Sequence, residues 1–276
     1  MTRRNFARLI IATVAMLPAL AVTPSGEAAT PAPNSMSSVG DSITRGYNAC
    51  GFYFDCTSRS WSTGGYGPVD SHYLRIKAEN PAITGNNFNY ARSGAKMTDL
   101  NGHVTIAGDR GVQYVTILIG ANEACTPPER AMTPVSSFRS QLDTALSTLK
   151  RKVPDAAVFI SSIPDIKRLW YIGHHDLRAL SAWNAYKVCQ SMLVNATSHS
   201  TADEARRNRV RQRVIDFNTQ LAEACSTYGP NCRFDGNATF HYQFVLSQVS
   251  GWDYFHPNES GQKTLASVTY AAGFNW

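Results

Sequence analysis

Between residues 112 and 119 the chain reads VQYVTILI, an almost unbroken apolar run rich in β-branched side chains, which predicts a strand buried on both faces of a parallel sheet. Residues 157–161 form a second short apolar run, and residues 87–91 alternate polar and apolar positions as a strand does. Residues 36–39 predict a short buried strand ending in a Gly-Asp-Ser turn. Helical patterns lie between these runs. Residues 68–78 form one, stopped by Asn80-Pro81. Another is opened by Thr133 as cap and Pro134 in the first turn, carries Phe138, Leu142, Ala145, Leu146 and Leu149 at helical spacing, and ends near Val153-Pro154. Longer patterns cover 177–194 and 202–225, and a last helix runs from Pro257-Asn258-Glu259 to near Ala272. Strands alternating with helices predict an α/β fold on a mostly parallel sheet, with reactive groups at the carboxyl ends of strands.

The amino terminus breaks this pattern. Arg3, Arg4 and Arg8 precede an apolar run, 9–22, that is too short to span a bilayer, so residues 1–29 read as an export signal peptide. Paired arginines followed by Phe6 resemble a twin-arginine signal, and both that route and the general secretory route stay open. A short extended linker, 30–35, follows, and residues 36–276 are expected to form one domain. The mature protein is therefore expected outside a bacterial cell. A formal charge of +6, three of whose arginines lie in the signal, is no nucleic-acid footprint. The cysteines Cys50, Cys56, Cys125, Cys189, Cys225 and Cys232 form an even set, which in an exported protein predicts disulfides. Cys50 with Cys56 and Cys225 with Cys232 are plausible local pairs that leave Cys125 with Cys189, one pairing among many. No C-x-x-C occurs and no histidine stands at ligand spacing from a cysteine, so no metal is expected.

Gly40-Asp41-Ser42 follows the first strand, which sets the serine on a strand-to-helix turn. Alone, the triplet is an ordinary turn sequence. A serine hydroxyl needs an imidazole to take its proton at neutral pH, and of seven histidines His256 stands out. It lies in a loop just before the last helix, and Asp253, three residues upstream, can turn back to hold the ring. The structural alternative has Asp253 capping that helix and His256 packing on Trp252. Acyl transfer also needs donors for the oxygen that becomes negative. Two strand ends offer them: the Gly94 N–H in Asn89-Tyr90-Ala91-Arg92-Ser93-Gly94, and the Asn122 amide in Gly120-Ala121-Asn122-Glu123.

Taken in order, these four blocks resemble the GDSL family of esterases and lipases, also called SGNH hydrolases, over nearly the whole of residues 36–276. The resemblance implies a three-layer α/β/α sandwich with a mostly parallel sheet of about five strands. It implies Ser42 as nucleophile, His256 as base and Asp253 as the carboxylate behind it, with an oxyanion hole from the Ser42 N–H, the Gly94 N–H and the Asn122 side chain. It implies no cofactor and no metal. The family's third block is usually G-x-N-D, and Glu123 here replaces the aspartate, which leaves the role of that carboxylate open. Some relatives orient the histidine through a backbone carbonyl, which makes Asp253 the least fixed member.

Export, disulfides and the Gly-Asp-Ser region make the chain similar to actinobacterial extracellular lipases and phospholipases, so a small-molecule or lipid ester is the expected substrate of a monomeric enzyme. A carbohydrate esterase that removes acetyl groups from polysaccharide would use the same residues and differ in its pocket, and a non-catalytic binding module on this fold is a third reading. The basic run Arg206, Arg207, Arg209, Arg211 and Arg213 reads as a contact for anionic lipid or, more simply, as a helix face paired with Asp203 and Glu204. Trp61, Tyr66, Trp170 and Tyr171 are candidates for an acyl pocket, with core packing as the ordinary alternative. The loop from Cys50 to Trp61 is a candidate for shaping access.

Overall fold

Five strands, all parallel, carry the fold in the computed structural model, which describes residues 1–2 and 31–276. Residues 3–30, and with them the expected export signal, lie outside the described residues. The strands β1 (Met36–Gly40), β2 (Asn87–Asn89), β3 (Tyr114–Leu118), β4 (Ala157–Ile160) and β5 (Cys232–Phe234) are ordered β2-β1-β3-β4-β5. The apolar run at 112–119 supplies the central strand β3, buried along its whole length between β1 and β4.

Helices link the strands. Between β1 and β2 lies α1 (His72–Glu79), and between β2 and β3 lies α2 (Met97–Asp109). A short α3 (Ala121–Ala124) and the long α4 (Val135–Lys152) lead to β4. Before β5 come α5 (Ile166–Gly173), α6 (Leu177–Ala185), α7 (Gln190–Leu193) and α8 (Thr201–Tyr228), and after it come α9 (Ala238–His241) and α10 (Glu259–Ala271). The apolar stripe of α4 packs against α2 and α8, with the Phe138 and Phe217 rings stacked 4.2 Å apart. A second layer forms around His72, whose ring bonds the Tyr114 hydroxyl at 2.9 Å and Thr269 of α10 at 2.8 Å. The sheet lies between the two, giving the α/β/α sandwich.

Several elements depart from the sequence pattern. The run 177–194 is not one helix: Lys187 and Cys189 adopt φ of 52° and 39°, which ends α6 and starts α7. The run 68–78 is split: a 3-10 turn, Gly67–Val69, precedes α1, whose start is fixed where Ser71 accepts the Leu74 N–H. Thr133 caps nothing; α4 begins after Pro134 without a side-chain cap. The pattern read above predicts neither α2 nor three-residue β5; in α2, Met97, Leu100, Val104 and Ala107 are buried at helical spacing. Disulfides join Cys50 to Cys56, Cys125 to Cys189 and Cys225 to Cys232.

The strand order reverses direction at β1. The chain steps from β1 outward to β2, then returns across β1 to β3, so a crevice opens at the carboxyl ends of these strands.

Candidate active site

The chain leaves β1 through Gly40, where φ is +141° and a Cβ would stand 1.9 Å from the Leu118 carbonyl oxygen, so only glycine fits. Asp41 follows, fully buried, and its Oδ1 accepts the Ile43 N–H at 2.9 Å, which closes the turn that presents Ser42. Buried Gln262 of α10 donates to the Ile43 carbonyl at 2.8 Å and accepts the Trp61 N–H at 2.9 Å. The turn that carries Ser42 is thus strapped to the last helix.

Ser42 Oγ lies 2.7 Å from His256 Nε2, and His256 Nδ1 lies 2.5 Å from Asp253 Oδ2. The second carboxylate oxygen, Asp253 Oδ1, accepts the N–H groups of Phe255 at 3.0 Å and His256 at 3.1 Å, which winds the loop back so that carboxylate and ring meet. Tyr254, at φ +53°, makes the bend, and its carbonyl accepts the Trp183 indole at 2.9 Å. The alternative role for Asp253 is excluded by geometry: Asn258 caps α10, and the Trp252 indole donates to Gly51 O. Asn48 Nδ2 donates to Asp253 Oδ2 at 2.8 Å, a partner that sequence reading missed because no local pattern joins residues 205 apart.

Gly94 follows β2 and Asn122 follows β3, so with Ser42 after β1 the three occupy the ends of adjacent strands. Gly94 is exposed at φ +81°, with open space where a Cβ would project. Asn122 Nδ2 donates to the Ala95 carbonyl at 2.9 Å, and Glu123, buried, accepts the Met97 N–H that opens α2. Neighbouring side chains therefore clamp the segment that carries Gly94. Glu123 does this in place of the shorter aspartate. Burial lifts its carboxyl to about 6, and lifts Asp41 to about 7, with the charge of Glu123 adding to the latter.

A cleft of about 70 Å³ adjoins these residues, walled by Ile43, Ala121, Phe255 and Pro257, each next in sequence to a site residue. It continues along Ile166, Leu169 and Ile172 of α5 to Phe244 and Val249. The polar side chains on its wall already have partners: Asp165 accepts from Arg211, Arg168 donates to the Phe244 carbonyl on the same wall, and Gln248 donates to Thr264. The aromatic candidates for this role lie apart from it. Trp61 and Trp170 are core residues, Tyr66 sits beneath Arg59, and exposed Tyr171 sits beneath Arg168.

The basic run is likewise spent within the chain. Arg206 pairs with Asp203, buried Arg207 with Glu204, Arg209 with Glu129 and Arg211 with Asp165, while Arg213 donates to the Thr133 carbonyl.

A family model described as GDSL-like Lipase/Acylhydrolase matches residues 38–268. Among solved structures, an extracellular lipase from Streptomyces rimosus superposes with a TM-score of 0.51 at 20% identity, covering 86% of this chain and 99% of that one. A catalytic mutant of an acetylxylan esterase from Geobacillus stearothermophilus gives a TM-score of 0.52 at 15% identity, covering 88% of this chain and 95% of that one. At these identities the two show a shared fold. No curated protein sequence matches the chain significantly.

Proposed function

The chain belongs to the GDSL-like lipase/acylhydrolase family, a family of serine hydrolases, and from that premise we propose that it hydrolyses lipid carboxylesters through Ser42, with His256 as base and Asp253 behind it. The carrying observation is the continuous chain of contacts from Ser42 Oγ to His256 to Asp253. In this reading Oγ attacks the ester carbonyl while Nε2 takes its proton, and the buried carboxylate stabilises the imidazolium that forms. The tetrahedral oxyanion accepts the N–H groups of Ser42 and Gly94 and one hydrogen of the Asn122 amide, whose other hydrogen is held by Ala95 O. His256 then returns the proton to the departing alcohol, and water, activated by the same ring, releases the acid from the acyl-enzyme.

The apolar cleft beside Ser42 supports a lipid ester over an acetylated polysaccharide. An acetyl methyl has no use for a wall that extends from Ile43 to Ile172, whereas an acyl chain buries about 0.8 kcal/mol per methylene against it. Three disulfides and the signal-like residues 1–29 support export. The test is hydrolysis of p-nitrophenyl esters from acetyl to palmitoyl by the wild type and Ser42→Ala. Turnover that rises beyond acetyl and vanishes in Ser42→Ala is the expected result. An acetyl-only preference would assign the site to polysaccharide deacetylation, and turnover independent of Ser42 would end the proposal.

A further inference from the structure

From Tyr47 to Phe54 the chain carries no charged side chain, and its tip is closed by the disulfide between Cys50 and Cys56. The three rings at that tip face solvent: Phe52 is 62% exposed, Tyr53 51% and Phe54 50%. Trp252, 48% exposed, stands beside them and donates its indole N–H to Gly51 O at 2.9 Å. Consecutive exposed aromatics are unusual on a free surface and mark a place where something apolar is met.

The loop is built to keep its shape there. Its peptide groups bond one another, Asn48 N–H to Phe54 O at 3.0 Å and Gly51 N–H to Asn48 O at 3.1 Å, and the Phe52 and Phe54 rings stack 6.0 Å apart. The first charge beyond the tip, Asp55, is taken by Arg45 at 2.9 Å. Such a tip enters a low-dielectric layer without stranding a charge or many backbone dipoles. It also sits at the mouth of the site. The Tyr53 ring is 5.4 Å from Tyr47, whose ring is 4.9 Å from that of His256.

We propose that the 50–56 loop, with Trp252, docks the mouth of the active site onto the surface of an uncharged lipid aggregate. Phe52, Phe54 and the Trp252 ring supply the buried area, while the Tyr53 hydroxyl places a polar edge at the headgroup level. A sugar platform would need polar side chains beside the rings to fix hydroxyls, and the one amide in the segment, Asn48, is committed to Asp253. Because the tip is uncharged, docking is insensitive to salt, unlike attraction to an anionic membrane. The inference rests on the lipid-ester reading above and answers how the acyl chain reaches the cleft.

The test separates docking from turnover. Sedimentation with phosphatidylcholine vesicles, in a Ser42→Ala background at low and high salt, measures docking alone. Hydrolysis of monomeric p-nitrophenyl butyrate by the Ser42 enzyme measures chemistry alone. In Phe52→Ser/Phe54→Ser, vesicle affinity should fall at least about tenfold at both salt levels, with monomer hydrolysis within about twofold of wild type. Phe52→Leu/Phe54→Leu should recover most of the affinity, which a misfolded loop would not. Wild-type protein that ignores vesicles, or a serine variant that binds them as well as wild type, overturns the proposal even if butyrate is hydrolysed. So does binding to insoluble xylan in place of vesicles. Vesicle binding without Ser42-dependent hydrolysis would instead leave docking intact and overturn the catalytic reading.

Discussion

Asn48 Nδ2 and Asp253 Oδ2 stand 2.8 Å apart although 205 residues separate them. The same oxygen meets His256 Nδ1, so the carboxylate that faces the imidazole is itself held by the loop that follows Ser42. Asn48 reaches it from a left-handed backbone, φ +64°, which asparagine tolerates better than most residues. The geometry of the proposed relay is thereby tied to the disulfide-closed loop.

Removing that donor should loosen the carboxylate without touching substrate. In Asn48→Ala, kcat is expected to fall about tenfold with KM unchanged, since orientation and not binding is lost. Asp253→Asn should cost far more, on the order of a thousandfold, because an amide facing Nδ1 favours the wrong tautomer. Steady-state kinetics on one soluble ester decide both. A loss below tenfold in Asp253→Asn would mean that a backbone carbonyl can orient His256.

Most of this candidate site was legible because its residues fall in blocks local in sequence. Ser42, Gly94 and Asn122 each follow a strand, and Asp253 and His256 share one turn; each block alone is an ordinary turn sequence, and it is their order, through its resemblance to the GDSL family, that points to them. Asn48 was not legible because its partner lies across the fold, and the cleft was not because α5 reaches it only through packing. For Trp61 and Trp170 the core alternative holds, because aromatic composition carries no sign of which side of the core a ring faces. In the fold, the apolar run of β3 was plain, whereas the break between α6 and α7 depends on left-handed Cys189, held by its bond to Cys125.

Leu169 should set the preferred acyl length. It sits in the cleft wall on α5, away from Ser42, so Leu169→Trp fills the space an acyl chain would enter. The expected result is a drop of about tenfold or more in kcat/KM for octanoyl esters, about two methylenes of lost burial, with acetyl esters within about twofold of wild type. Equal losses on both would place the chain elsewhere.

The bond between Cys125 and Cys189 should matter most among the three disulfides. It spans 64 residues and pins the segment after Asn122 to the start of α7, while the others span 6 and 7. Chain-entropy arguments give about 4 kcal/mol for a loop of that length and about 2 to 3 for the short ones. Thermal melts of Cys125→Ser/Cys189→Ser should therefore show the largest fall in Tm. A larger fall in Cys225→Ser/Cys232→Ser would show that native packing, not loop length, governs the effect.

Asp41 makes stability depend on pH in a direction opposite to that of a paired carboxylate. Burial raises its folded-state carboxyl to about 7 from an unfolded value near 4, and Glu123 is raised to about 6. Between those limits the folded chain holds protons that the unfolded chain has released, so their contribution to stability is full below about pH 4 and is lost as pH rises through about 7. Asp41→Asn removes one ionisation while its Oδ1 can still accept the Ile43 N–H. The variant should therefore gain on wild type as pH rises, by on the order of a few kcal/mol between pH 4 and pH 8. Urea unfolding at intervals across that range measures the difference directly. A wild-type minus variant difference that stays flat with pH would mean that Asp41 ionises in the fold near its unfolded value and that burial does not raise it.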